Sequence, residues 1–180
     1  MYGVIAKFDE KTEQIIKDIW RELREKSISF YVDEVVNRVP HITLASYNEI
    51  DKNEFIEQID KFYDDKVGFE IIFNSIGSFL NSGTLFLSPT INRQLLEFHS
   101  NHHKNFIKYN DNPNSLYLPD KWLPHCTLAN RLTPEKLSEA FTYCLKRNDT
   151  IKGMIEEIAI LEIVCKNNVP IIFSKRLNNN

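Results

Sequence analysis

The chain has 180 residues, 42% hydrophobic and 26% charged, enough apolar material for one folded domain or two small lobes sharing an interface. Its net charge of −3, from 22 basic and 25 acidic side chains, argues against a protein that wraps a nucleic-acid duplex over its whole surface, while leaving room for one locally basic cleft. No apolar run approaches the ~20 residues that span a bilayer, residues 1–20 carry Lys7, Asp9, Glu10, Lys11 and Glu13 in place of a signal peptide, and the spacings of Cys126, Cys144 and Cys165 fit no zinc or redox pattern, which suits a reduced, cytoplasmic compartment.

In chain order, residues 2–8 (Y-G-V-I-A-K-F) read as a strand. Ile15, Ile16, Ile19, Trp20 and Leu23 recur at helical spacing over 10–26. A strand follows at 39–47, entered through Pro40, and Asp51 caps a helix that runs to about Tyr63. Strands are expected at 67–74 and 84–88, with a turn at Asn81-Ser82-Gly83. Residues 90–108 read as a helix with a solvated face carrying His99 and His103, and with His102 partly inward. The turn-forming residues of 109–122 predict a loop, and 123–130 a strand. Thr133-Pro134 starts a helix to about Arg147. Two strands, near 154–164 and 169–176, close the chain through Lys166-Asn167-Asn168, and the terminal Asn run is expected to fray.

One stretch is written twice. Pro40-His41-Ile42-Thr43-Leu44-Ala45 and Pro124-His125-Cys126-Thr127-Leu128-Ala129 agree at five of six positions, 84 residues apart. Each copy is followed by a helix, a strand, a polar turn and another strand, so the element order itself repeats over 40–88 and 124–176. The expectation is a single α+β domain over 1–180: a duplicated bilobal fold, with two antiparallel sheets facing a central cleft and helices packed outside.

On a strand, alternate side chains share a face, so His41 and Thr43 point one way and Ile42 and Leu44 the other; the same holds for His125 and Thr127 against Cys126 and Leu128. Two such faces meeting across a cleft suit phosphodiester chemistry. One imidazole takes a proton from the attacking oxygen and the other gives one to the departing oxygen, both near working pH. The threonine hydroxyls hold the phosphate oxygens. The competing reading is a duplicated packing motif with both histidines satisfied in the core. Against it, the polar pair is retained in both copies, whereas one apolar position differs, Ile42 against Cys126.

The two H-x-T motifs, His41-Ile42-Thr43 and His125-Cys126-Thr127, resemble those of the 2H phosphoesterase superfamily, which includes 2′-5′ RNA ligase-like proteins and RNA 2′,3′-cyclic phosphodiesterases. The resemblance spans nearly the whole chain in element order, with letter-level support confined to the motifs and their flanks. It implies a metal-independent phosphodiesterase acting on 2′,3′-cyclic phosphate ends of RNA or nucleotides, reversible as 2′-5′ ligation. On that implication His41 and His125 are catalytic, Thr43 and Thr127 hold phosphate, and no cofactor or metal is required. Cleavage of 2′-5′ oligonucleotides or of a small cyclic nucleotide-sugar phosphate is an alternative, as is an RNA-end binding module without turnover. The partner is then an RNA end or a small nucleotide, with no membrane, and the protein a monomer.

The sequence departs from the family in one respect. Many 2′-5′ RNA ligase-like members carry arginine soon after the second motif, in a form like H-x-T-L-x-R; here Asn130 stands there and Arg131 follows. Strand parity puts Arg131 on the phosphate face if the strand continues that far. Parity likewise makes Tyr47 a candidate for base stacking, and Tyr117 and Trp122, beside the second motif, are candidates for a stacking lid. Lys7 and Phe8 stand at the end of the first strand, where they would edge the cleft.

Overall fold

The computed structural model describes residues 1–147 and 150–179. Its elements follow the order β1 (Tyr2–Phe8), α1 (Glu10–Glu25), β2 (His41–Tyr47), α2 (Lys52–Tyr63), β3 (Phe69–Phe79), β4 (Thr84–Pro89), α3 (Arg93–Asn105), β5 (Cys126–Ala129), α4 (Pro134–Arg147), β6 (Ile151–Glu162) and β7 (Ile171–Arg176). Short 3-10 turns at Tyr31–Glu34 and Ile107–Tyr109 lie in the segments before the two motifs. Asp9, Asp51 and Asn92 each cap a helix by accepting from the backbone N–H three residues on.

The fold is α+β and every strand ladder is antiparallel. The two expected sheets are the two halves of one hydrogen-bonded path, β2-β1-β6-β3-β4-β5, with β7 beside β6. β6 joins them because it is long. Its residues 151–155 pair with β3, and its C-terminal half runs between β1 and β7. Where β6 passes from one half to the other, Asp9 accepts hydrogen bonds from the Met154 N–H, the Thr12 N–H and the Thr12 hydroxyl. Gly153 is required there, since a Cβ would overlap the Thr12 hydroxyl.

The halves exchange parts. The β3–β4 hairpin, which follows the first motif in sequence, pairs with β5 and its second motif. The β6–β7 hairpin, which follows the second motif, lies beside β1 and the first. Helices α2 and α3 pack on β7 and β2 and α4 on β4, while α1 lies against β6 and β1 as well as β5. The terminal Asn run behaves otherwise than expected at Asn178. Its backbone pairs with Gly68 and Lys66, and its side chain donates to the Asp64 carbonyl. Asn180 lies outside the described residues.

Candidate active site

Both motifs enter the structure with the expected alternation. Ile42, Leu44, Cys126 and Leu128 are in the core. His41, Thr43, His125 and Thr127 all line one cavity of about 970 Å³, beside which β2 packs against β5. Burial pushes the Cys126 thiol up to about 12, so it is no nucleophile at neutral pH.

The two motifs are held by matching sets of contacts. His41 Nδ1 lies 2.8 Å from the Val39 carbonyl and His125 Nδ1 2.7 Å from the Leu123 carbonyl, in each case the residue two before. A carbonyl only accepts, so Nδ1 carries the proton and Nε2 is left as the free acceptor on each ring. The tryptophans cross over: Trp20 on α1 donates to the Thr127 carbonyl at 3.0 Å, and Trp122, before the second motif, donates to the Thr43 carbonyl at 2.9 Å. The tyrosines cross in the same sense, Tyr31 lying near Thr127 and Tyr117 near Thr43. Each threonine is thus positioned by residues that precede the other motif.

Burial pushes the His41 imidazole down to about 4, and the positive charges of Arg38 and of a protonated His125 push the same way, against the Val39 carbonyl. His125 is also lowered by burial, with the Leu123 carbonyl opposing. Its ring packs edge-on to Phe79, centroids 4.9 Å apart, and near Phe86 at 5.3 Å. Both rings are therefore neutral at pH 7 in the free protein.

Several sequence expectations change here. Tyr47 is 1% exposed and sits in the aromatic core, its hydroxyl 2.9 Å from His102 Nε2, so it stacks on nothing in the cleft. The cause is a β-bulge. Val4 pairs with Ala45 and Ile5 with Thr43, so Leu44 is skipped and Ser46 takes the cleft face in place of Tyr47. The same bulge recurs at Leu128, between the Leu85–Ala129 and Phe86–Thr127 pairs, and gives the cleft face to Asn130. Arg131 lies past the end of β5 with φ at 56°; it still borders the cavity, 55% exposed and 3.8 Å from Glu34. Trp122 is no open lid. Its ring stacks on His99 at 3.8 Å between centroids, while Tyr117 does line the cavity. Lys7, paired with Glu157 at 2.8 Å, and Phe8, in the core, lie away from it.

The α3 histidines are buried and not solvated. His102 bridges the Tyr47 and Tyr63 hydroxyls, His103 meets the Leu44 carbonyl and His99 the Tyr117 carbonyl. Among the described residues no three His, Cys, Asp or Glu side chains gather as a metal site, and no helix is long and apolar enough to cross a membrane.

Sequence reasoning missed Arg38. Its guanidinium lies over the Tyr31 ring at 3.7 Å and lines the cavity with the four motif residues. The signal was present in the longer frame, Arg38-Val39-Pro40-His41 against Trp122-Leu123-Pro124-His125, where a cation stands opposite a tryptophan.

None of the curated protein sequences matches the chain. Among solved structures, it is similar to the TT0787 protein of Thermus thermophilus, at 14% identity, with 99% of this chain and 98% of that chain covered and a TM-score of 0.65. It is also similar to E. coli LigT complexed with 3′-AMP, at 14% identity, 98% and 97% coverage and a TM-score of 0.63. A structure described as a phosphoesterase matches at 11% identity, 98% and 97% coverage and a TM-score of 0.59. At such identities the likeness concerns the fold. The model of the 2′-5′ RNA ligase superfamily, however, matches residues 10–165, both motifs included. The chain belongs to the 2′-5′ RNA ligase superfamily, the 2H phosphoesterases.

Proposed function

We propose that the protein is a metal-independent phosphodiesterase acting on 2′,3′-cyclic phosphate ends of RNA or of nucleotides, working as a single bilobal monomer. The observation that carries this reading is the matched pair of imidazoles, each with Nδ1–H committed to a carbonyl and Nε2 left free, beside two threonines in one cavity. His41 acts as base. Burial first, and the nearby charge of Arg38 with it, disfavour an imidazolium there. His125, protonated, acts as acid.

In the hydrolytic direction His41 Nε2 takes a proton from water as its oxygen bonds to phosphorus. The bond from phosphorus to one ribose oxygen breaks, and His125 Nε2–H protonates that oxygen. The Thr43 and Thr127 hydroxyls donate to the two non-bridging oxygens. The reverse sequence, with a ribose hydroxyl attacking, makes a 2′-5′ linkage. Arg131, at the rim, reaches the outer part of the substrate. Beyond the histidines the cavity continues over Gly3, Ile5, Leu161 and Val169, an aliphatic wall suited to a nucleoside. The E. coli LigT structure with 3′-AMP supports a small nucleotide as occupant, because that ligand presents the same ribose–phosphate unit.

The test is a substrate panel in excess chelator: 2′,3′-cyclic AMP, an RNA oligomer ending in a cyclic phosphate, and a 2′-5′-linked dinucleotide. Turnover of either cyclic phosphate, giving one regioisomer of the monoester, is the expected result. Turnover of the 2′-5′ dinucleotide alone would move the reading to a 2′-5′ oligonucleotide hydrolase. Binding of all three without turnover would favour an RNA-end binding module.

A further inference from the structure

We propose that Arg38 is the cation that grips the reacting phosphate, with Glu34 as the counter-ion that the phosphate displaces. The proposal rests on the phosphodiester reading of the site and adds a residue to it.

The cavity contains few positive charges. Among the described residues that line it, the arginines and lysines are Arg38, Arg131 and Lys166. Lys166 is exposed on the β6–β7 turn and Arg131 is more than half exposed at the rim. Only Arg38 is inside, its side chain 13% exposed. A buried guanidinium in a protein is normally met by a bidentate carboxylate. Here it is not: Glu34 reaches one terminal nitrogen at 3.5 Å, and Nε is buried with no hydrogen-bond partner. A buried donor left unmade is costly, and such a group calls for an explanation such as an absent anion.

The placement fits that anion. The guanidinium lies over the Tyr31 ring, which lines the cavity with Thr127, and Arg38 is near enough to His41 to act on it electrostatically. The position therefore lies on the cavity wall that also carries His41 and Thr127. It is built by sequence: Asn37, just before Arg38, turns through a left-handed conformation at φ 55°, which asparagine tolerates, and Pro40, two after Arg38, is buried. At the equivalent place before the second motif stands Trp122, whose one donor is spent on the Thr43 carbonyl. The repeat is thus symmetric in its hydroxyls and imidazoles and asymmetric in its cation. Glu34 is held loosely by both Arg38 at 3.5 Å and Arg131 at 3.8 Å, a separation that an arriving phosphate can exploit.

Binding of inorganic phosphate, followed by the ring signals of the five histidines in NMR titrations, tests this without any turnover. Arg38→Gln is expected to weaken phosphate binding at least tenfold. Arg38→Lys, which keeps the charge and loses the fork, should weaken it several-fold. Glu34→Gln should tighten it, because a competing carboxylate is gone; a purely structural Glu34 would give the opposite sign. If Arg38→Gln does not fold, the Lys and Glu34 variants decide. Phosphate affinity unchanged in both arginine variants, or weakened in Glu34→Gln, would overturn the proposal. A wild type that binds phosphate yet turns over no cyclic substrate would instead count against the phosphodiesterase reading and leave the assignment of Arg38 standing.

Discussion

At the scale of single residues, the site is two imidazoles made unequal by their surroundings. On the proposed roles, His41 would serve as base only when unprotonated, above about 4, and His125 as acid only when protonated, below its lowered value. The kcat/KM profile of a cyclic phosphate should therefore be a bell with its acidic limb near 4 and its alkaline limb below the unperturbed histidine value of ~6.5. An alkaline limb above 7 would contradict the assignment of roles. The tryptophans make a second prediction. Trp122→Phe leaves the Thr43 carbonyl without its donor and Trp20→Phe does the same at Thr127; each should cost about 1–2 kcal/mol in urea unfolding and lower kcat more than it raises KM. His41, Thr43, His125 and Thr127 were legible in the sequence because a strand's two-residue period settles which side chains travel together. The Trp and Tyr contacts were not, since each joins residues some 75–110 apart that only folding brings together.

At the scale of elements, strand parity worked until it met a bulge. It put His41 with Thr43 correctly and then carried Tyr47 to the cleft in place of Ser46, and passed over Asn130, because nothing in P-H-x-T-L-A announces that Leu44 and Leu128 are skipped by their partner strands. The helices were easier, since apolar spacing and Asp or Asn caps are local signals. The α3 histidines were misjudged because their partners, among them Tyr47, Tyr63 and the Leu44 carbonyl, come from other elements. The β3–β4 hairpin gives a testable case of one element serving another. Its turn residue Gly83 has φ 59° and accepts from Leu132 N–H at 3.0 Å, while Thr84 at the base of the turn donates to the Asn130 side chain at 2.8 Å. A Cβ at Gly83 would overlap the Leu132 backbone. Gly83→Ala should cost more than ~1 kcal/mol by denaturant titration and reduce turnover through the displaced Asn130–Arg131 segment. Equal stability with full turnover would show that the hairpin does not hold the second motif.

At the scale of the whole molecule, duplication was readable as a repeat of element order, but the exchange of hairpins between halves was not, because the order of elements does not say which strands pair. The consequence is a molecule whose halves are tied through β6, and whose five histidines are all held neutral by burial. Their pKa values fall on folding, so below ~6.5 the unfolded chain takes up protons before the folded one does. Stability is therefore complete above that value and is lost as pH falls towards 4, at up to ~1.4 kcal/mol per pH unit for each histidine. Urea midpoints measured from pH 7.5 down to 5 should decline steeply; a flat profile would mean that the histidines are charged in the folded protein.

The central claim is that two histidines, one from each copy of the repeated stretch, exchange protons with a phosphodiester without metal assistance. Its most direct test is the turnover of 2′,3′-cyclic AMP in excess chelator by the wild type and by His41→Ala and His125→Ala. Chelator should leave the wild type unaffected, and each substitution should lower kcat by a factor of ~10² or more while phosphate remains bound. Full activity in either alanine variant, or a wild type silenced by chelator, would contradict it.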